Sequence, residues 1–98
     1  MSRIERQYQN YIITKLKDRF PMCMVLMNDP TYIQGIPDLL ILYNDKWAAL
    51  ECKRSKSSPA RPNQEYYVDL MNKMSFASFI FPENESEVFN EMARSFRD

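Results

Sequence analysis

The spacing of apolar residues along the chain predicts three helices. From residue 2 to residue 20, apolar side chains recur every three or four positions, which is typical of an amphipathic helix with one buried face. Pro21 cannot continue this helix, so we expect it to end there. The same spacing returns after Pro62, where Gln64 heads an apolar stripe, and again between residues 86 and 96. These segments are the second and third predicted helices.

Uninterrupted apolar runs predict four strands, at residues 22–27, 39–43, 46–50 and 76–81. The first run is expected to be a buried strand, and the methionines at 22, 24, 27, 71 and 74 are expected to fill the core. Because the last strand follows a helix, it should lie parallel to a strand of the preceding hairpin, with a right-handed connection. The element order predicts one α/β domain over residues 1–98, with a mixed sheet flanked by helices.

The hairpin between the second and third strands places charged residues opposite one another. A two-residue turn at residues 44–45 would put Asp38 directly across from Glu51, with both side chains on one face. Lys53, two residues further along, would share that face. A three-residue loop would instead put Asp38 opposite Cys52 and separate the carboxylates, unless a bulge restored the match. The register therefore decides whether an acidic pair forms.

An acidic pair of this kind predicts a metal site. Two carboxylates about 5 Å apart repel each other unless a divalent cation lies between them, and a nearby ammonium can position or activate a water. The alternative is that Asp38, Glu51 and Lys53 are ordinary charged residues at strand ends. Their neighbours Leu39 and Leu50 are apolar, which predicts burial, and a buried carboxylate without a partner is costly. The pattern favours a site that hydrolyses phosphodiester bonds.

Composition narrows the chemistry further. The 98-residue chain has no histidine, which excludes histidine-based zinc hydrolases, serine triads and histidine nucleases. Thirteen basic and thirteen acidic residues cancel, yet residues 53–61 carry four cations and no acid, whereas residues 83–91 carry four glutamates and no cation.

Cys23 and Cys52 lie in apolar runs and are expected to be core residues rather than a disulfide. With neither a membrane-spanning run nor a signal-peptide pattern, we expect a cytoplasmic protein that does not bind membranes.

Three further residues have two interpretations each. Gly35, the only glycine, predicts a backbone position that needs positive φ or a close approach, as beside bound DNA, and the alternative is a simple turn with no ligand. Gln64 could reach the carboxylates or a phosphate, or it could cap the first turn of its helix. Glu5 has capping-box spacing from Ser2, but it also lies one turn before Tyr8 on the apolar stripe and could face the metal site.

A basic loop follows the strand that carries Glu51. Arg54, Lys56 and Arg61 lie in this Ser- and Pro-rich segment. Charge clusters are usually solvated connections. Here the cations emerge beside the predicted metal site, so we expect them to contact a phosphate backbone.

The ordered motifs resemble a known family. Residues 35–39 (GIPDL), residues 51–54 (ECKR) and Gln64 at the head of a helix are similar to the motifs of the PD-(D/E)xK nuclease superfamily. Within it, the resemblance is greatest to the virus-type replication-repair nuclease domain. The match covers about residues 35–71, and the first helix and last strand fit the family's restriction-endonuclease-like core. The E-x-K element alone is a weak signal, but the complete order of motifs is more specific.

The resemblance implies roles for individual residues. Asp38 and Glu51 would coordinate Mg²⁺ or Mn²⁺ with the carbonyl of Cys52, and Glu5 would complete the metal site from the first helix. Lys53 would orient the attacking water and stabilise negative charge. Gln64 would position the phosphate or the lysine.

The resemblance also implies a class of enzyme. Small stand-alone members are similar to dimeric, often viral, enzymes that cleave branched DNA, so a homodimeric Holliday junction resolvase is the expected function. Two alternatives are a general or restriction-like phage nuclease and a DNA-binding module on the same scaffold without catalysis.

Overall fold

In the computed structural model, which describes residues 3–97, the chain forms an α/β structure with three helices and one four-stranded sheet. Its helices and strands are, in chain order, α1 Arg3–Arg19, β1 Met24–Met27, β2 Leu39–Tyr43, β3 Lys46–Cys52, α2 Pro62–Met74, β4 Phe76–Ile80 and α3 Glu85–Arg97, with a short 3₁₀ turn at Pro82–Asn84 before α3. The elements occur in the predicted order. Each predicted element is present, with ends shifted by one or two residues.

The sheet is mixed, and its strands follow chain order, β1-β2-β3-β4. The pairs β1–β2 and β2–β3 are antiparallel, whereas β3 and β4 are parallel because α2 connects them. The predicted parallel pairing of the last strand is therefore confirmed. β3 lies inside the sheet and five of its seven residues are buried, so its C-terminal end projects the residues that follow into a largely covered region.

Helices cover both faces of the sheet. Helices α1 and α3 enclose the larger core, which includes Ile12, Leu16, Leu39, Leu50, Ile80 and Met92. On the opposite face, α2 packs through Val68 and Met71 against Ala49 and Ala77. Alternate residues of β3 therefore face different helices, and Glu51 lies on the same face of the strand as Ala49, towards α2.

The ends of the described chain are joined by polar contacts between α1 and α3. Tyr8 Oη donates a hydrogen bond to Glu85 Oε2 at 2.8 Å, and Lys15 Nζ lies 3.3 Å from Glu85 Oε1. Cys23 and Cys52 are free thiols, as predicted, and Cys52 is fully buried whereas Cys23 is half-buried. Within residues 3–97, none of the helices combines the length and apolar character needed to cross a membrane.

Two predictions about the core are wrong. β1 forms, but it is a mostly exposed edge strand rather than a buried one. The methionines at 22, 24, 27 and 74 are exposed, and of the five expected in the core only Met71 packs against it. Apolar runs indicate strands but do not distinguish a central strand from an edge strand, because only the partners of the strand decide its burial.

Candidate functional site

The hairpin register brings Asp38 and Glu51 together. Tyr43 pairs with Lys46 and Leu39 with Leu50, so the next position along the ladder sets Asp38 opposite Glu51. The two-residue turn is possible because Asn44 adopts a positive φ of 55°, which asparagine tolerates better than most residues. The predicted register is confirmed, and the alternative with a three-residue loop is excluded.

Asp38 is held in place through both its main chain and its side chain. The Asn28 N–H donates to the Asp38 carbonyl at 2.8 Å, and the Asn28 side-chain amide donates to the Pro37 carbonyl, also at 2.8 Å. The Cys52 N–H donates to Asp38 Oδ2 at 2.9 Å. The Asp38 carboxylate, directly before β2, is therefore anchored to the end of β3, with the Cys52 peptide facing it. Sequence reasoning missed Asn28, although its position before Asp29-Pro30 marked a turn that could fold back on the hairpin.

Glu51 is a buried carboxyl group in contact with a second one. The residue is only 3% exposed, and its carboxyl group interacts electrostatically with that of Asp38. Burial first, and then the negative charge of Asp38, raises the pKa of Glu51 to about 8, although Lys53 opposes the shift. Burial also raises the pKa of Asp38, against the Cys52 N–H, the contact with Glu51 and the charge of Lys53. Close to neutral pH, therefore, the pair tends to keep one proton between its two carboxyl groups.

Lys53 and Gln64 complete a chain of polar contacts. Lys53 is 8% exposed, and its Nζ donates to Gln64 Oε1 at 2.8 Å. Gln64 Nε2 lies 3.3 Å from Glu51 Oε2 and donates to it. The Lys53 N–H donates to the Ile80 carbonyl at 2.8 Å, which extends the β3–β4 ladder past the end of β3. The ammonium is thereby held near the carboxyl pair from two directions.

Gln64 satisfies both of its predicted interpretations. It occupies the third position of α2, and its Oε1 also accepts a hydrogen bond from the Arg61 N–H at 3.0 Å. That contact satisfies a backbone donor at the start of the helix. The same amide group thus caps α2 and connects Lys53 with Glu51.

Gly35 has a positive φ of 93° and packs tightly against α2. A Cβ at this position would lie 2.8–2.9 Å from atoms of Asn63. The prediction of a position that needs glycine is confirmed, and the close neighbour within the described chain is Asn63. The absence of a side chain at Gly35 therefore lets the loop before Asp38 pack against α2, the helix that carries Gln64. Sequence reasoning missed Asn63, because nothing in its type or spacing marks it as a packing partner.

Glu5 lies within electrostatic reach of the carboxyl pair. Its negative charge contributes to the raised pKa values of Asp38 and Cys52. The competing capping box with Ser2 falls outside the described residues. Among residues 3–97, however, no three side chains of His, Cys, Asp or Glu converge closely enough to form a metal-binding group. Glu5 is therefore near the pair without joining it in a three-carboxylate cluster.

The basic loop starts and ends beside this site, between Lys53 and Gln64. The side chains of Arg54, Lys56 and Arg61 are exposed, and within the described chain they form no ion pair. The Lys56 N–H donates to Glu83 Oε1 at 3.2 Å, so one acidic residue of the C-terminal segment fastens the loop. The cations remain available to an external anion.

The oxygen donors of this site fit a hard divalent cation. Asp38 and Glu51 offer two carboxylates at one point, and Mg²⁺ is typically bound through one or two carboxylates while it keeps several waters. Burial, and then the charge of Asp38, raise the pKa of Glu51, so a second ionised carboxylate is costly here, and a divalent cation would neutralise it in place of the proton. The donor set is therefore sufficient for Mg²⁺ or Mn²⁺ even without a third protein carboxylate.

Comparison of the chain with models of protein families, with curated proteins and with solved structures finds no match.

Proposed function

We propose that this chain is a metal-dependent, structure-selective DNA endonuclease, of the kind that resolves Holliday junctions in phage. The observation that carries the proposal is the arrangement at the end of β3. There, the buried pair Asp38 and Glu51 lies beside Lys53, and Gln64 connects the lysine to the glutamate. A purely structural strand end would have no reason to bury two mutually repelling carboxyl groups.

The residues of the chain divide the chemistry between them. Asp38 and Glu51, with the Cys52 carbonyl and Glu5 nearby, would hold Mg²⁺ or Mn²⁺. When bound, the cation would polarise the phosphoryl group and lower the pKa of a bound water. The Lys53 ammonium would orient that water and stabilise the charge that develops on the phosphate. Gln64 keeps the ammonium directed towards the site through its 2.8 Å contact.

Recognition of DNA would rest on the phosphate backbone. The exposed cations Arg54, Lys56 and Arg61 follow directly from the strand that carries Glu51 and Lys53. A backbone passing the carboxyl pair would therefore meet them. Within residues 3–97, each helix packs on the sheet and none is left over to enter a groove and read base edges, which favours selectivity for the shape of a branched substrate over sequence.

The experiment that tests the proposal is cleavage of a labelled four-way junction beside matched duplex, single-stranded and flap DNA. Reactions would contain Mg²⁺, Mn²⁺ or EDTA, with Asp38→Asn as the inactive variant of unchanged size and Asp69→Asn as an exposed control. Paired, metal-dependent incisions confined to the junction would support a resolvase. Cleavage of all four substrates would support a general phage nuclease instead. Binding without cleavage by the folded protein in either metal would leave a DNA-binding module and overturn the enzymatic proposal.

A further inference from the structure

β1 is an apolar edge strand, and nothing in the described chain covers its outer side. Met22, Met24, Leu26 and Met27 are 95%, 58%, 41% and 67% exposed, and they are four of the nine exposed large hydrophobic residues within residues 3–97. β1 pairs with β2 on one side only, since the strand order places β1 at the end of the sheet. Large exposed apolar side chains scattered singly are ordinary, but here they lie within six residues of each other.

This edge lacks most of the features that usually prevent strands from pairing with other chains. Exposed edge strands are typically protected by shortness, lysines, prolines, bulges or inward charges, and of these β1 has only its short length of four residues. Residues 21–28 contain no charged residue, and Pro21 and Pro30 lie outside the strand. β1 pairs with β2 in unbroken register from Met24 to Met27, so no bulge interrupts it. Such an edge either aggregates or has a partner.

The hydrogen bonds of β1 determine which backbone groups face outward. The Asn28 N–H bonds to the carbonyl of Asp38, so Asn28 and Asp38 form a hydrogen-bonded pair. Because such pairs alternate along an antiparallel ladder, Leu26 and Met24 also bond to β2. The N–H and C=O groups of Val25 and Met27 therefore point to the free edge.

We propose that a second copy of this chain occupies this edge, with β1 of one protomer antiparallel to β1 of its partner. A two-fold axis at Leu26 would pair the Val25 groups of each copy with the Met27 groups of the other. The two Leu26 side chains would then meet as a non-hydrogen-bonded pair. A second copy fits better than an unrelated strand because the edge is uncharged and self-complementary, and the chain has no net charge to keep two copies apart.

The exposed apolar side chains supply part of the area that a dimer needs. If each of the four side chains offers about 150–200 Å² when fully exposed, their observed exposures leave roughly 400–500 Å² of apolar surface per protomer. A stable interface takes about 800 Å² from each partner. The exposed side chains therefore supply about half to three fifths of the requirement, and the strand backbone and its neighbours would supply the rest.

This pairing would place both candidate sites on the same face of one eight-stranded sheet. The reason is that the two-fold axis of such an antiparallel strand pair is perpendicular to the sheet, so it does not exchange the two faces. From Leu26, the carboxyl pair lies two residues along the strands and about two strands across. With a rise of ~3.3 Å per residue and ~4.8 Å between strands, the two sites would be roughly 20–25 Å apart. That is less than one helical turn of duplex DNA, about 34 Å. This consequence rests on the proposed nuclease function, whereas the interface itself does not.

The oligomeric state of the whole protein, measured by analytical ultracentrifugation in EDTA and without DNA, tests the interface. We expect a dimer. Leu26→Lys would place two ammonium groups opposite each other at the axis and raise the dimer dissociation constant at least about tenfold. Met74→Lys is the matched control, because Met74 is a similarly exposed apolar residue on α2 and should leave the dimer unchanged. A monomeric wild type, or a dimer that Leu26→Lys does not weaken, would overturn the proposal.

A cross-link tests the register without relying on destabilisation. Non-hydrogen-bonded residues of antiparallel strands lie about 4.5 Å apart at Cα, within the range for a disulfide. Leu26→Cys combined with Cys23→Ser should form a covalent dimer on mild oxidation, whereas Met74→Cys in the same background should not. Failure of the Leu26 cross-link in a folded dimer would overturn this register. If the cross-linked dimer forms but cuts no DNA in either metal, the interface stands and the proposed function fails.

Discussion

The side chain of Lys53 donates a hydrogen bond to Gln64, and this 2.8 Å contact joins the end of β3 to the first turn of α2. Eleven residues separate the two in sequence. The intervening loop carries the exposed cations, so the contact closes the loop at its base. A lysine fixed in this way is pre-organised, which is what transition-state stabilisation by a charged group requires.

Lys53→Ala should lower the cleavage rate by about 10²–10³-fold, because the ammonium would no longer offset charge on the phosphate. DNA affinity should change little, since the proposed contacts with the DNA backbone are made by the exposed loop. Lys73→Ala provides the control, because Lys73 is a solvent-exposed lysine on α2 whose ion pair within the described chain is with Asp69 in the preceding turn. Single-turnover cleavage and binding measured on the same junction would separate the two effects. Undiminished turnover by Lys53→Ala would exclude the proposed mechanism.

Glu51 makes stability depend on pH in a direction opposite to that of most carboxylates. Its pKa rises from an ordinary value of 4.5 to about 8 in the folded protein, so between these values the native state holds a proton that the unfolded state releases. The free energy of unfolding in EDTA should therefore fall as pH rises from about 4.5 to 8. Glu51→Gln should remove this dependence and stabilise the metal-free protein by about 1–4 kcal/mol at pH 8.5, while abolishing cleavage.

Urea unfolding at pH 5.5 and pH 8.5 would measure that difference. Mg²⁺ should restore the stability of the wild type at the higher pH, because the cation replaces the proton, and it should leave Glu51→Gln unchanged. Equal loss of stability in both proteins on raising the pH would show that another group is responsible.

Glu5→Gln should weaken Mg²⁺ binding about tenfold if Glu5 contributes to the metal site, as its influence on the pKa of Asp38 suggests. Isothermal titration with Mg²⁺ and Mn²⁺ would measure this, with Glu87→Gln on α3 as an exposed acidic control. Unchanged metal affinity together with a loss of about 1 kcal/mol or less in stability would instead assign Glu5 to the start of α1.

Neutralising Arg54, Lys56 and Arg61 together should weaken DNA binding and reduce the slope of log affinity against log salt by about 2–3, because up to three phosphate contacts are lost. The control is a triple variant of exposed cations elsewhere, Lys17, Lys73 and Arg94. Fluorescence anisotropy at several salt concentrations would compare the two. An identical slope for both variants would show that the loop is not the backbone contact.

Gly35→Ala should destabilise the fold by about 1–3 kcal/mol, because it combines a positive φ with a Cβ placed against Asn63. We expect a fall in cleavage beyond the loss of folded protein, since the displaced helix would carry Gln64 with it. Ser78→Ala is a suitable control, since it changes a half-buried position in β4 away from this contact. Thermal unfolding and the rate per folded molecule would be measured together. A stable variant with full activity would show that the packing of the loop against α2 does not require glycine at position 35.

The site is the most predictable part of the molecule. Asn44 and Asp45 set a two-residue turn, and that turn alone is enough to place Asp38 opposite Glu51. Register follows directly from turn length, because a strand offers only two faces. The inward position of Gln64 can likewise be predicted, because Gln64 heads an apolar stripe of its helix.

Burial is less predictable than pairing. Residues 22–27 have the apolar character of a core strand, yet β1 lies at the edge, and nothing local distinguishes the two environments. In α2, Val68 is the buried contact although the predicted stripe runs through Met74, because the position of β4 determines which part of the helix faces the sheet. Contacts such as that of Gly35 with Asn63 depend on how loop and helix meet in space, and no periodicity encodes them.

The hydrogen bond from Tyr8 to Glu85 joins residues 77 positions apart and ties the first helix to the last. A chain emerging from the ribosome therefore cannot complete its larger core until α3 has been synthesised, because α3 covers the same face as α1. The carboxyl pair at residues 38 and 51 lies towards the other face, which α2 covers, and both the hairpin and α2 precede α3 in the chain. Until α3 is made, nascent chains should expose the apolar faces of α1 and the sheet, and chaperones should bind them there.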